Sequence, residues 1–267
     1  MRLNTYLLTE RRSEPLDDKE ALRLLKTKFS QAAKASNDMY KRIYRGIHGD
    51  VGTFAIVKPS EHNRRSANTL NAYTLLIDNL PEWREYPKRS KSIICTTEYN
   101  RAVSYAHPGQ AYVVFPENGA KIGVCPSWDI WVSFDKLQVS DLSEFSNELR
   151  NLLLVAFDTN DVYIEEFKNW KSFLENLDYV DKNKIEVYRN DPIAMDSIIR
   201  SLDLDRYFKN KNMKLIDHLG NLLDPDKNGF QLKKIGDDLP PGSEVWTDAD
   251  CILIRCKHFM DNLVGKI

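Results

Sequence analysis

The chain has 267 residues, 42% of them hydrophobic and 29% charged, a balance that excludes a mostly disordered protein, a collagen-like repeat and a small disulfide scaffold. No apolar run reaches the roughly 18 residues of a membrane-spanning helix, and the N-terminus lacks the apolar core of a secretory signal. A soluble, cytoplasmic protein with no membrane partner is expected. The net charge of −1 hides a division: residues 1–130 hold 20 Lys and Arg against 14 Asp and Glu, whereas residues 131–267 hold 18 against 25. A positive surplus in the first part suits a phosphate-bearing ligand, although domains of this size often carry as much.

Residues 16–36 place Leu16, Ala21, Leu22, Leu25, Phe29, Ala32 and Ala33 at spacings of mostly three and four. With Asp17, Asp18 and Glu20 in the first turn, this predicts an amphipathic helix within an N-terminal helical region over residues 1–39. Tyr40, Ile43 and Tyr44 then read as a strand-like entry to Gly46, and Phe54-Ala-Ile-Val57 as a second strand. A helix is expected over 69–79, followed by a connection through Pro81, Trp83, Tyr86 and Pro87. From Ser90 the character turns to β: Ser92-Ile-Ile-Cys-Thr-Thr97, a short helix over 99–105, Ala111-Tyr-Val-Val-Phe115, a Pro-Glu-Asn-Gly turn and Ala120-Lys-Ile-Gly-Val124. Helical repetition returns over 142–157, 162–174 and 195–202. The last strands are 231–235, Glu244-Val-Trp-Thr247 and Cys251-Ile-Leu-Ile-Arg255. Strands flanking a helical block give an α+β fold, with 141–220 a helical insertion in a single domain spanning 1–267.

The four cysteines, Cys95, Cys125, Cys251 and Cys256, are too few and too scattered for a disulfide framework and read as free thiols. Cys251, Cys256 and His258 lack a second ligand pair, and the alternation of Cys251, Leu253 and Arg255 marks a buried strand thiol, so no metal site is assigned. Neither a Gly-x-Gly-x-x-Gly nor a Gly-Lys-Ser/Thr motif occurs, which excludes the doubly wound and phosphate-loop modes of nucleotide binding.

Three short segments carry the chemistry: Ile43-Tyr-Arg-Gly46, Ile93-Ile-Cys-Thr-Thr97 with Ala102 and Tyr105 behind it, and Ser243-Glu-Val-Trp246. In this order they resemble the mono-ADP-ribosyltransferases of the arginine–serine–glutamate type. The likeness extends through Tyr112-Val-Val-Phe-Pro-Glu-Asn-Gly-Ala120 and from Glu244 to Ile254, and covers residues 40–125 and 243–256. It implies an ADP-ribosyltransferase-like mixed β core, NAD as co-substrate, release of nicotinamide and a macromolecular acceptor, a protein first of all. Cleaving the nicotinamide–ribose bond builds positive charge on the sugar, so a fixed carboxylate beside it is wanted; the resemblance gives Glu244 that role. It gives Arg45 the pyrophosphate, which a guanidinium grips in two-pronged fashion, and Gly46, with Tyr44 beside it, a close approach to the nicotinamide amide. Thr96 and Thr97 are expected to orient the glutamate and touch the ribose.

Two departures are visible. Cys95 stands where the family has its first Ser, and a thiol is a poor donor. Gly242 stands where transferases that modify arginine carry Glu or Gln, which argues against an arginine acceptor. Glu165 and Glu166 compete with Glu244 but fall in a helical pattern, and His48-Gly49 is similar to the related histidine–tyrosine–glutamate type. The basic segments Asn63-Arg-Arg-Ser66 and Tyr86-Pro-Lys-Arg-Ser-Lys91 offer Arg64, Arg65 and Arg89 as phosphate contacts. The chain is also similar in general character, from Met1 to Leu16 onward, to bacteriophage proteins. That likeness implies a host-directed protein, in the host cytoplasm or packaged in the virion. The alternatives are a non-catalytic binding or virion-associated protein that keeps the fold, and a nucleic-acid-directed protein using its basic first half.

Overall fold

Short runs rich in β-branched and aromatic residues build the central strands of the sheet. A computed structural model of the chain describes residues 14–61, 71–157 and 169–267. Its strands are β1 (Glu14–Pro15), β2 (Ile43–Gly46), β3 (Phe54–Val57), β4 (Ile93–Thr96), β5 (Ala111–Pro116), β6 (Lys121–Val124), β7 (Gln231–Lys234), β8 (Glu244–Thr247) and β9 (Cys251–Arg255). They form one sheet in the order β1-β3-β9-β5-β2-β4-β8-β6-β7. Every registered pair is antiparallel, which corrects the expectation of a mixed core. The reason is topological. β4 and β5, joined through a helix, run the same way, but β2 lies between them and pairs antiparallel with each.

The helices, in chain order, are α1 (Asp18–Leu25), α2 (Ser30–Ala35), α3 (Ala72–Asn79), α4 (Tyr99–Ser104), α5 (Leu142–Phe157), α6 (Trp170–Lys182), α7 (Lys184–Asn190), α8 (Pro192–Ser201), α9 (Asp205–Lys209), α10 (Leu215–Leu222) and α11 (Cys256–Asn262). The single helix expected over 16–36 is two. Asp17 caps α1 through the amides of Lys19 and Glu20, while the Thr27 hydroxyl donates back to the carbonyls of Arg23 and Leu24, a bond that competes with the helical ladder. The break drops Phe29 into the core, fully buried. Residues 39–41 form a short 3-10 turn capped by Asp38 rather than a strand entry. The expected helices over 69–79 and 162–174 fall partly outside the described residues.

The chain divides into two compact units where one domain was expected: Met1–Ala67 with Glu85–Asp129 and Phe230–Ile267, and Asn68–Arg84 with Ile130–Gly229. The first carries the whole sheet. On one face Ile43, Ala55, Ile93, Tyr112, Ile122, Val245 and Leu253 share a core to which seven strands contribute. On the other, Ala21, Leu25, Ala32 and Phe259 from α1, α2 and α11, with Phe29 from the break between the first two, cover Val113, Phe115, Ile252 and Ile254. Each Val, Leu, Ile or Phe among them contributes about 1.5–3 kcal/mol on burial. The second unit is helical and takes in the segment expected as an insertion over 141–220. Its heptad-like spacing buries Leu149, Leu152 and Leu153 of α5 with Phe173, Leu177 and Val180 of α6. Asp181 accepts both the Tyr207 hydroxyl at 2.7 Å and the Leu215 amide at 2.9 Å. No helix among the described residues is long and apolar enough to cross a membrane.

Candidate functional site

The three sequence-distant segments become neighbouring strands. Thr96 of β4 stands opposite Tyr44 of β2 on one side and Glu244 of β8 on the other, so one row of residues crosses all three. β2 and β4 are in register at that pair alone. Beyond it the Arg45 guanidinium donates through Nη1 to the Ile94 carbonyl, satisfying a backbone acceptor that the neighbouring strand leaves open. A small open cleft lies at this divergence. Tyr44, Arg45, Gly46, Cys95, Thr96 and Glu244 line it, together with Arg101, Tyr105, Trp128 and Asp129.

Glu244 is anchored through one oxygen. Nη2 of Arg89 lies 2.5 Å from its Oε1, with the side chains 3% and 13% exposed, and the Cys125 thiol lies 3.7 Å from the same oxygen. Oε2 makes no hydrogen bond among the described residues. Arg89 is itself immobilised: its guanidinium sits 5.1 Å over the Trp246 ring, and Trp246 donates to the Pro87 carbonyl at 2.9 Å and stacks on Tyr86. The Lys88 amide adds a bond to Asp248 at 3.2 Å. The expectation of a phosphate contact at Arg89 is therefore corrected, since its charge is spent inside the protein on Glu244. Arg64, Arg65, Glu165 and Glu166 lie outside the described residues.

Thr97 is also corrected. Thr97 lies one residue past the end of β4 and, unlike Thr96, does not line the cleft. Its hydroxyl donates to the Pro240 carbonyl at 2.8 Å and accepts from the Ser243 amide at 3.0 Å. It fastens the turn that leads into Glu244 and does not line the cleft. Thr96 does line it, and its hydroxyl accepts from the Glu98 amide at 3.1 Å.

Gly46 has a steric reason of its own. A Cβ there would stand 2.1 Å from the Ala102 carbonyl oxygen and 2.9 Å from the Ala106 amide, so the missing side chain lets α4 seat on β2. Cys95 lines the cleft but is buried, and burial pushes its thiol up to about 12, which keeps it a protonated, weak donor. Tyr44 is buried as well, which raises its phenol above the usual value, and its ring meets Tyr99 edge-on at 5.8 Å. His48 and Gly49 fall beyond the end of β2.

At Gly242, where φ is +72°, the nearest side-chain atom to an added Cβ is Oε2 of Glu98, 3.9 Å away. A carboxylate thus stands close to the position where the sequence lacks one, although Arg101 also approaches it at 3.4 Å.

Arg101, Trp128 and Asp129 went unread in the sequence. Trp128 is 40% exposed and holds the Arg101 guanidinium 4.7 Å from its ring, a cation–π pair. Its one available signal was a large aromatic in a polar Pro126-Ser-Trp-Asp129 loop, where burial is not forced. Arranged this way, the cleft can bind an anionic ligand at Arg45 and Arg101, stack a flat ring and set a fixed carboxylate against it. Compared with protein-family models, with curated proteins and with solved structures, the chain matches none of them.

Proposed function

We propose that this chain is a mono-ADP-ribosyltransferase that moves ADP-ribose from NAD to a macromolecular acceptor, a protein first of all, with release of nicotinamide. The observation that carries the reading is the convergence of Arg45, Thr96 and Glu244, from three separate segments, on one cleft. In this reading Arg45 holds phosphate, and the aromatic wall of Tyr105 and Trp128 receives a ring. Oε2 of Glu244 accepts a ribose hydroxyl and faces the positive charge that grows on the sugar as the bond to nicotinamide breaks and its electron pair leaves with the ring. The acceptor's nucleophile then closes on the same carbon and gives up its proton. A fixed charge in such a site contributes about 3–4 kcal/mol, or roughly 100- to 1,000-fold in rate. Incubating the protein with NAD labelled in the adenylate portion, in a cell lysate, tests this. Labelled acceptor is expected with wild type and none with Glu244→Gln.

One observation favours a second reading. The Arg89 charge on Oε1 offsets the carboxylate and places a cation near a developing cation, which suits a cleft that binds a nucleotide without cleaving it. That reading expects NAD to bind and nicotinamide to stay attached.

A further inference from the structure

We infer that Arg89 is a positioning residue for Glu244: by gripping Oε1 it fixes the carboxylate so that Oε2 is the oxygen offered to the ligand. The inference rests on the transferase reading above. A glutamate has three side-chain torsions, and a carboxylate in a cleft has no reason to keep one orientation unless a neighbour holds it. Around Glu244 no other strong donor bonds the carboxylate among the described residues. The Thr96 hydroxyl accepts from the Glu98 amide, Thr97 is turned toward Pro240 and Ser243, and Cys95 and Cys125 are thiols.

Among the described residues Arg89 is the one strong donor on the carboxylate, at 2.5 Å and through a single nitrogen. A one-pronged contact holds the group while leaving the second oxygen available, which the two-pronged form does not. The rest of the geometry fits a fixed tool. The guanidinium is pressed on Trp246, and the segment that carries it is bonded to β8 through Trp246 to Pro87 and onward through Lys88 to Asp248. Glutamate and arginine are thus set by one rigid clasp. A merely stabilising pair explains this less well, because removing two charges from water offsets most of their attraction.

The test is steady-state nicotinamide release by the full chain, comparing wild type, Glu244→Gln, Arg89→Gln and Arg89→Lys. Arg89→Gln is expected to lower kcat about 100-fold, the scale of a 1 Å misplacement, with KM for NAD within about twofold of wild type. Arg89→Lys, which keeps a charged donor, is expected to recover at least a tenth of the wild-type kcat. A folded Arg89→Gln with unchanged or raised kcat overturns the inference, as does a loss confined to KM or one that Lys does not repair. Should Arg89→Gln fail to fold, Arg89→Lys decides: a kcat of at least a tenth of wild type at constant KM supports the role, and a kcat below a tenth or a loss confined to KM overturns it. A wild type that releases no nicotinamide overturns the transferase reading and this role with it. That result is distinguishable from an active wild type, sensitive to Glu244→Gln and indifferent to Arg89.

Discussion

Gly46 and Ala102 touch backbone to backbone: a Cβ on residue 46 would enter the carbonyl oxygen of residue 102 at 2.1 Å. The atoms it meets belong to main chain on every side, so they have no rotamer into which to retreat. Gly46→Ala is expected to destabilise the sheet unit by about 2–3 kcal/mol, as overpacking does, and to lower Tm by roughly 5–10 °C. Calorimetry checks it. Unchanged stability would return Gly46 to the ligand-approach role that its sequence context implies.

Thr97 offers a similar separation of structure from chemistry. Its hydroxyl is used in both directions by the turn before β8, so Thr97→Val strands a donor–acceptor pair at a cost of about 1–3 kcal/mol. Thr97→Ser keeps the hydroxyl and is expected to stay near wild type. Denaturant unfolding of both variants tests the difference, and equal losses would point to the methyl group instead.

Local pattern carried most of the fold and about half of the site. β8, β9 and α5 lie where apolar spacing and turn residues place them, because their ends are written in adjacent residues such as Pro240-Pro-Gly242. Thr96 was legible and Thr97 was not, because nothing in the sequence shows its hydroxyl bonded to the Pro240 carbonyl and the Ser243 amide. Nor was Arg89. Within Tyr86-Pro-Lys-Arg-Ser-Lys91 it reads as one more solvated cation, and what buries it is a carboxylate 155 residues away in sequence beside a tryptophan on the same strand. The break between α1 and α2 escaped periodicity for a different reason: the apolar spacing continues across it, while a single threonine hydroxyl redirects the backbone.

The thiols make a pH prediction. Burial raises Cys95 and Cys256 from 9.0 to about 12, so above pH 9 the unfolded chain gives up these protons before the folded chain does. Stability contributed by the two is complete below about pH 9 and declines from there to about 12, by about 1.4 kcal/mol per pH unit for each thiol. Unfolding measured between pH 8 and 11 should show the fall, and Cys95→Ser should remove part of it. In the folded protein at pH 8, alkylation of Cys95 is expected only once denaturant is added; rapid labelling of the native state would contradict the burial.

In the helical unit, Asp181 links Tyr207 and the start of α10, and Lys184 lies 3.8 Å from the Tyr207 ring. Asp181→Ala leaves a buried hydroxyl and a helix-starting amide without their acceptor and is expected to cost about 2–3 kcal/mol. Hydrogen exchange should quicken within Ile130–Gly229, and nicotinamide release should hold within about twofold of wild type. Faster exchange confined to the sheet would refute the assignment.

The most direct test of the central claim is nicotinamide release from NAD by purified protein, wild type against Glu244→Gln. With Oε2 of Glu244 facing the sugar, wild type is expected to release nicotinamide and the variant to slow by about 100-fold or more at similar NAD affinity. NAD bound but uncleaved by wild type, or equal rates for the two proteins, would contradict it.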